Sequence, residues 1–169
     1  MSVVACRVYD DRITIASDSI VVYEDTQRKS DMGSNGFCKL IRTNGMIIGS
    51  DGTCEEGMLF QLYCSTRKPK SPTVDDVLGF VIEFAQWKKK MTELPYSLDN
   101  HYILIFDKTA FYIERFFVDY VKLYQAIGAG KDFALSALYL GHDVIEAVAA
   151  ACELSIYCER PINSIEEKR

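Results

Sequence analysis

The 169-residue chain predicts an α+β fold in which antiparallel sheets pack on one another and helices lie outside. Three observations carry that expectation. Apolar runs come in blocks joined by short turn signals, so the strands are linked as hairpins and not as alternating βαβ units. Helical periodicity is confined to two pairs of segments that follow those blocks. Apolar residues make up 49% of the chain and charged ones 25%, which at this length suffices for a sizeable core in a single domain over residues 1–169.

The first fifty residues read as β. Residues 3–8 form a strand, Asp10-Asp11 turns it, and residues 13–17 return with Ile13 and Ile15 apolar. Residues 20–23 make a short third piece, and the polar stretch 24–36 with its glycines suits an exposed loop. Strands at 37–41 and 46–50 flank Thr43-Asn44-Gly45, a hairpin signal because both Asn and Gly tolerate positive φ. The period then changes. Leu59, Leu62 and Tyr63 share a helical face over 53–64, and the segment Lys68-Pro69-Lys70-Ser71-Pro72 breaks it. Thr73-Val74-Asp75-Asp76 resembles a capping box and opens a helix that turns Val77, Leu78, Val81, Ile82, Phe84 and Ala85 inward and ends before Pro95. Three strands follow, at 101–106, 110–114 and about 118–126, with a turn at Asp107-Lys108. Beyond Gly128-Ala129-Gly130 comes a helix over 132–140 closed by Gly141. Asp143 to Glu146 is a second capping box, for a helix to about 153. Residues 155–158 read as a last strand, and 164–169 as a charged tail.

Composition excludes several functions. The net charge is −5, and the longest basic run, Lys88-Lys89-Lys90, is too short and isolated for a nucleic-acid face. No apolar stretch is long enough to span a membrane, and Met1 to Arg7 is charged too soon for a signal peptide. The six cysteines, Cys6, Cys38, Cys54, Cys64, Cys152 and Cys158, are scattered without a CxxC pair and read as reduced core thiols of a cytoplasmic protein. His101 and His142 are the only histidines and do not make a metal site, so neither metal nor cofactor is expected.

A set of spaced motifs goes further. Ser2-Val3-Val4-Ala5, Ile15-Ala16-Ser17-Asp18-Ser19, Lys39 and Ile47-Ile48-Gly49-Ser50-Asp51-Gly52 occur in that order. Ala126-Ile127-Gly128-Ala129-Gly130, the segment Ala137 to Asp143, and Ser155-Ile156-Tyr157 follow. Together they resemble the proteasome β-subunit family, and more closely its HslV-type peptidases, over nearly the whole chain. The resemblance implies an N-terminal nucleophile hydrolase with a four-layer αββα sandwich. It implies that the mature chain starts at the nucleophile, here Ser2, whose own α-amine is the general base. Such an amine titrates near ~7.7–8.0 and lies within reach of its own hydroxyl. Removal of Met1 would expose Ser2, and a small second residue suits that processing.

By the same resemblance Asp18 orients Lys39, the Lys39 charge lowers the pKa of the hydroxyl and amine, and the Gly52 N–H binds the oxyanion. Plainer readings of the same residues stand beside these: a strand start at Ser2, a turn carboxylate at Asp18, a surface lysine on an edge strand, a glycine at a strand-to-helix turn. Ser50 and Cys54 fall where the family lines the pocket for the residue before the scissile bond. There are two departures. Ala129 stands where the family has a serine that bonds the terminal amine. At the C-terminal site Cys152 and Ser155 stand where the family has aspartate and serine, with Glu153 adjacent. A cysteine nucleophile is disfavoured, since Cys38 and Lys39 face opposite sides of a strand and Cys6 and Cys54 have apolar neighbours.

The reading that follows is a peptidase that cleaves peptides inside a homo-oligomeric ring of six or seven subunits, stacked, with an ATP-dependent unfoldase as partner. The alternative is a catalytically inactive ring subunit that serves as scaffold or interaction module; a small-molecule amide hydrolase is a third.

Overall fold

The computed structural model describes residues 2–23, 26–29 and 37–169. The elements run β1 (Val4–Val8), β2 (Arg12–Ser17), β3 (Ile20–Tyr23), β4 (Thr26–Lys29), β5 (Leu40–Thr43), β6 (Met46–Asp51), α1 (Cys54–Thr66) and α2 (Val74–Met91). They continue with β7 (His101–Phe106), β8 (Thr109–Glu114), β9 (Phe117–Tyr120), β10 (Tyr124–Ile127), α3 (Lys131–Tyr139), α4 (Val144–Leu154) and β11 (Asn163–Lys168). One antiparallel sheet has the order β10-β1-β2-β11 and the other β5-β6-β7-β8-β9, while β3 and β4 form a two-stranded ribbon.

Three apolar layers separate four structural ones. Val4, Cys6, Ile13 and Ile15 of the first sheet meet Leu40, Ile47, Ile103 and Ile105 of the second, closing the space between the sheets. The opposite faces of the same strands are equally apolar. Val3, Ala5, Ala16 and Ala126 pack under α3 and α4 against Leu138, Val148 and Ala151. Met46, Ile48, Tyr102, Leu104 and Phe111 pack under α1 and α2 against Phe60, Tyr63 and Phe84. Strand β6 is therefore buried at every position, which is why Met46, Ile47 and Ile48 follow one another without alternation. Small alanines on the first sheet let α3 and α4 approach closely, whereas the second sheet carries aromatics. There the Phe60 ring lies 4.3 Å from Tyr102 and 4.9 Å from Phe84, centroid to centroid.

Local signals set the boundaries. Asn44 (φ 49°) and Gly45 (φ 75°) both occupy the left-handed region in the β5–β6 hairpin, and Gly141 (φ 99°) follows α3. Asp143 accepts from the Ile145 and Glu146 amides while Glu146 reaches back to the Asp143 amide, a complete capping box on α4. At α2 only half the box forms. Thr73 accepts from the Asp76 amide, but the Asp76 carboxylate turns to the Ser71 hydroxyl instead.

The structure departs from the sequence reading in several places. Thr26–Lys29, inside the expected loop 24–36, are a strand paired with β3; the rest of that loop and Met1 lie outside the described residues. The strand expected at 37–41 begins at Leu40, so Lys39 precedes it. The single strand expected over 118–126 is two, because Val121 bonds to Ala110 of the second sheet while Val8 bonds to Leu123, and the chain crosses between sheets there. Residues 155–158 form a turn closed by Cys158 N–H to the Ser155 carbonyl, and not a strand. The last strand is the charged tail, Asn163–Lys168, paired with β2 at the sheet edge. Phe80 and Lys88 join the buried face of α2, while Leu78 and Ile82 are only partly covered.

Phe60 is fully buried among three aromatic rings. Phe60→Ala is expected to lower the unfolding free energy by about 3–5 kcal/mol, read as a fall in the urea midpoint at constant slope.

Candidate active site

The residues that lead into β1 are held at the site by their backbone. The Ser2 carbonyl accepts from the Gly130 amide at 3.0 Å, and the Val3 amide donates to Asp18 Oδ1 at 2.9 Å. Gly128 has φ 94°, and a Cβ there would stand 2.3 Å from the Ser2 carbonyl oxygen, so the Gly128–Gly130 turn can close over Ser2 only with glycine at its start.

Asp18, at the end of β2, is fully buried. Its Oδ1 accepts from the Val3 amide and from Lys39 Nζ, the latter at 2.7 Å; its Oδ2 accepts from the Ile20 amide at 3.1 Å and the Glu159 amide at 3.2 Å. Lys39 is only 4% exposed and meets Asp18 as a compact buried ion pair. Sequence alone left a surface lysine open; the burial excludes it.

Gly52 sits between β6 and α1 with φ 127°. Thr53 caps α1, accepting from the Glu56 amide. Ser2, Lys39 and Gly52 line one cavity of about 390 Å³, bounded also by Ser50, Asp51 and Cys54 and by the apolar Ile20, Val21, Val22 and Phe37. Residues singled out in the sequence therefore converge: Ser2, Lys39, Ser50, Gly52 and Cys54 on the cavity and Asp18 behind Lys39.

Ala129 and Ser155 do not line that cavity. Ala129 is exposed on the turn that opens α3, beside a second cavity of about 360 Å³ that also holds His101 and Lys131. Ser155 ends α4, and its hydroxyl accepts from the Tyr157 amide in its own turn. That turn nonetheless bears on the site through the Glu159 bond to Asp18.

The sequence reading missed Asp51, His101 and Glu114. They are neighbours across β6, β7 and β8, with His101 Nδ1 3.5 Å from Asp51 and Nε2 3.4 Å from Glu114. Tyr112 donates to Glu114 at 2.6 Å, and that bond, with His101 adding to it, holds the Glu114 carboxyl below its ordinary range. Cross-strand pairing made this group, so no spacing in the sequence signals it. A second omission lies behind Gly52, where Glu56, Lys88 and Asn100 are all buried. Among the described residues no group of three or more His, Cys, Asp or Glu side chains is placed to hold a metal ion.

All six cysteines are free. Burial pushes the Cys6 thiol up to about 12 and the Cys64 thiol upward as well. Burial and the nearby Asp18 charge push Cys152 up to about 12 and Cys158 up to about 11. These thiols stay protonated at neutral pH and are poor nucleophiles.

No protein-family model and no curated protein matches the chain. Solved structures share its fold. Thiobacillus denitrificans BPH in complex with epoxomicin is 19% identical with a TM-score of 0.85, covering 98% of both chains. Thiobacillus denitrificans BPH alone is 18% identical with a TM-score of 0.86, covering 98% of this chain and 97% of that one. The eukaryotic HslV from Trypanosoma brucei is 16% identical with a TM-score of 0.69, covering 99% of each. The four-layer αββα sandwich of HslV-type proteins is thus the fold of this chain.

Lys39→Ala leaves the Asp18 carboxylate buried without its cation, which costs about 3–5 kcal/mol of folding stability, measured by chemical denaturation. Thiols with a pKa near 12 carry a thiolate fraction of ~10⁻⁴ at pH 8, against about a quarter for an unperturbed thiol. Iodoacetamide at pH 8 is therefore expected to leave Cys6 and Cys152 of the folded protein unmodified while alkylating all six in urea, as read by peptide mass spectrometry.

Proposed function

We propose that the chain is an N-terminal nucleophile peptidase of the HslV and proteasome β type, with Ser2 as nucleophile. The observation that carries this reading is the convergence of Ser2, Lys39 and Gly52 on one cavity, with Asp18 paired to Lys39 at 2.7 Å. Removal of Met1 frees the Ser2 α-amine, which takes the hydroxyl proton as Ser2 Oγ attacks a peptide carbonyl. The fixed Lys39 charge favours the ionised hydroxyl and the unprotonated amine. Asp18 keeps that charge in place and, through the Val3 amide, holds the strand that carries Ser2.

The Gly52 N–H meets the carbonyl oxygen as it becomes an oxyanion. When the carbon–nitrogen bond breaks, the amine returns its proton to the leaving nitrogen and an acyl ester remains on Ser2. Water, deprotonated by the same amine, then hydrolyses that ester. The apolar lining of Ile20, Val21, Val22 and Phe37, together with the small Ser50 and Cys54, suits an apolar side chain before the scissile bond.

The chain acts in a ring of its own copies, fed by an ATP-dependent unfoldase in the cytoplasm. Exposed Tyr139, Leu140, Leu154 and Ile156 give the α3–α4 side the apolar surface that ring neighbours require. No helix among the described residues is long and apolar enough to cross a membrane. A second reading, an inert ring subunit, is favoured by the missing hydroxyl at Ala129 and by Cys152 in place of an aspartate.

Intact mass and probe labelling separate the two. The native protein is expected to be one methionine lighter than its sequence and unacetylated, and to gain the full mass of epoxomicin, since addition across ketone and epoxide loses no group. Ser2→Ala is expected to abolish labelling and peptide hydrolysis. A retained Met1, or an unlabelled protein with a free Ser2 amine, establishes the scaffold reading instead.

A further inference from the structure

We infer that Asn100, braced by the buried Glu56–Lys88 pair, is a positioning residue that sets the Gly52 N–H at the cavity rim. This rests on the reading of Ser2 as nucleophile and Gly52 as oxyanion donor.

Asn100 immediately precedes β7 and is 1% exposed. Its side-chain amide grips one residue at both ends: Oδ1 accepts from the Thr53 amide at 2.7 Å, and Nδ2 donates to the Thr53 carbonyl at 2.8 Å. The peptide planes on both sides of Thr53 are thereby held, one of them joining Gly52 to Thr53 and so next to the plane that bears the Gly52 N–H. Asn100 also presses on Gly52 directly. A Cβ at Gly52 would stand 2.1 Å from Asn100 Oδ1 and 3.0 Å from Asn100 Cα. The same amide therefore excludes any side chain at the turn and orients the backbone that follows it.

Asn100 is held in turn. Glu56 Oε1 accepts from the Asn100 amide at 2.9 Å, the Asp99 amide at 3.1 Å and the Tyr102 hydroxyl at 3.2 Å. Glu56 Oε2 accepts from Lys88 Nζ at 2.6 Å, and Lys88 also donates to the Ser97 carbonyl at 2.7 Å. Glu56 and Lys88 are 3% and 1% exposed, so this pair lies among the aromatics of α1 and α2. A buried ion pair is no more stabilising than apolar residues of the same volume. Phe60, Tyr63 and Phe84 already join the two helices to the sheet. What the pair adds is direction. It links α2 to α1, α1 to the start of β7, and Asn100 to Thr53, so that the turn carrying the Gly52 N–H is anchored on its Thr53 side and packed by Asn100 at the Gly52 Cα.

The test compares two covalent probes on Asn100→Ala and on the unmodified protein. Attack on an epoxyketone carbonyl, or on a peptide, develops an oxyanion at the Gly52 N–H. Attack on a peptide vinyl sulfone places the charge on the carbon beside the sulfone and makes no such demand. Asn100→Ala is expected to slow peptide turnover and epoxyketone labelling about 10–10²-fold, with KM and vinyl sulfone labelling each held within about threefold. Should that variant fail to fold, Asn100→Asp is judged by the same ratio, since it keeps the acceptor for the Thr53 amide and loses the donor to its carbonyl. Equal losses with both probes, or no loss with either, overturn the positioning role. An unmodified protein that neither probe labels overturns instead the reading of Ser2, and this inference falls with it.

Discussion

The carboxylate of Asp18 is the point on which the arrangement of the site depends. A fully buried charge is tolerated only when it is paired and its lone pairs are filled, and the donors that do this come from four separate stretches of chain. The Val3 amide belongs to the approach to β1, the Ile20 amide to the start of β3, Lys39 to the approach to β5, and the Glu159 amide to the turn after α4. Both sheets and the C-terminal turn must be in place before this charge is compensated. Asp18 is satisfied only where these four stretches of chain meet.

That dependence bears on Ala129 and on the turn after α4, where the sequence resemblance implies groups that act on the chain terminus. Ala129 offers no hydroxyl, and Ser155 spends its own within a local turn. Yet the position of Ser2 does not hang on either. Its carbonyl is tied to the Gly130 amide, and Gly128 packs against it at a distance that no Cβ permits. Backbone contacts on one side and Asp18 on the other place the residue.

Much of this was legible in the sequence where a residue's chemistry and its local pattern agree. The Asn44-Gly45 hairpin, the capping box at Asp143 and the pairing of Asp18 with Lys39 all appear as expected. What was not legible depends on partners distant along the chain. Strand β11 carries three charges and one strongly apolar residue, Ile165, because it is a sheet edge with one face in water, so its sequence reads as a tail. The break between β9 and β10 is invisible because Val121 is as apolar as its neighbours; only the two sheets show that the chain changes layers there. Lys88 reads as part of a basic run, and nothing within α2 reveals that its ammonium turns inward to a carboxylate on α1. The Asp51, His101 and Glu114 group is likewise a product of strand register.

Two buried ion pairs flank the cavity, and comparing them shows what each is for. Asp18–Lys39 leaves its cation on the cavity wall beside Ser2, so it has a direct electrostatic effect on anything bound there. Glu56–Lys88 does not line the cavity, and its charges offset one another behind the aromatic layer, so its long-range field is weak. It reaches the cavity only through the hydrogen bonds of Asn100 and the backbone of Gly52 and Thr53. The first pair acts by charge and the second by geometry. A fold that needed only stability would fill the second position with leucine and methionine. Retaining four donors on one buried carboxylate, at a desolvation cost that apolar packing would avoid, is understandable where the placement of a single turn of backbone matters more than the energy it takes to hold it.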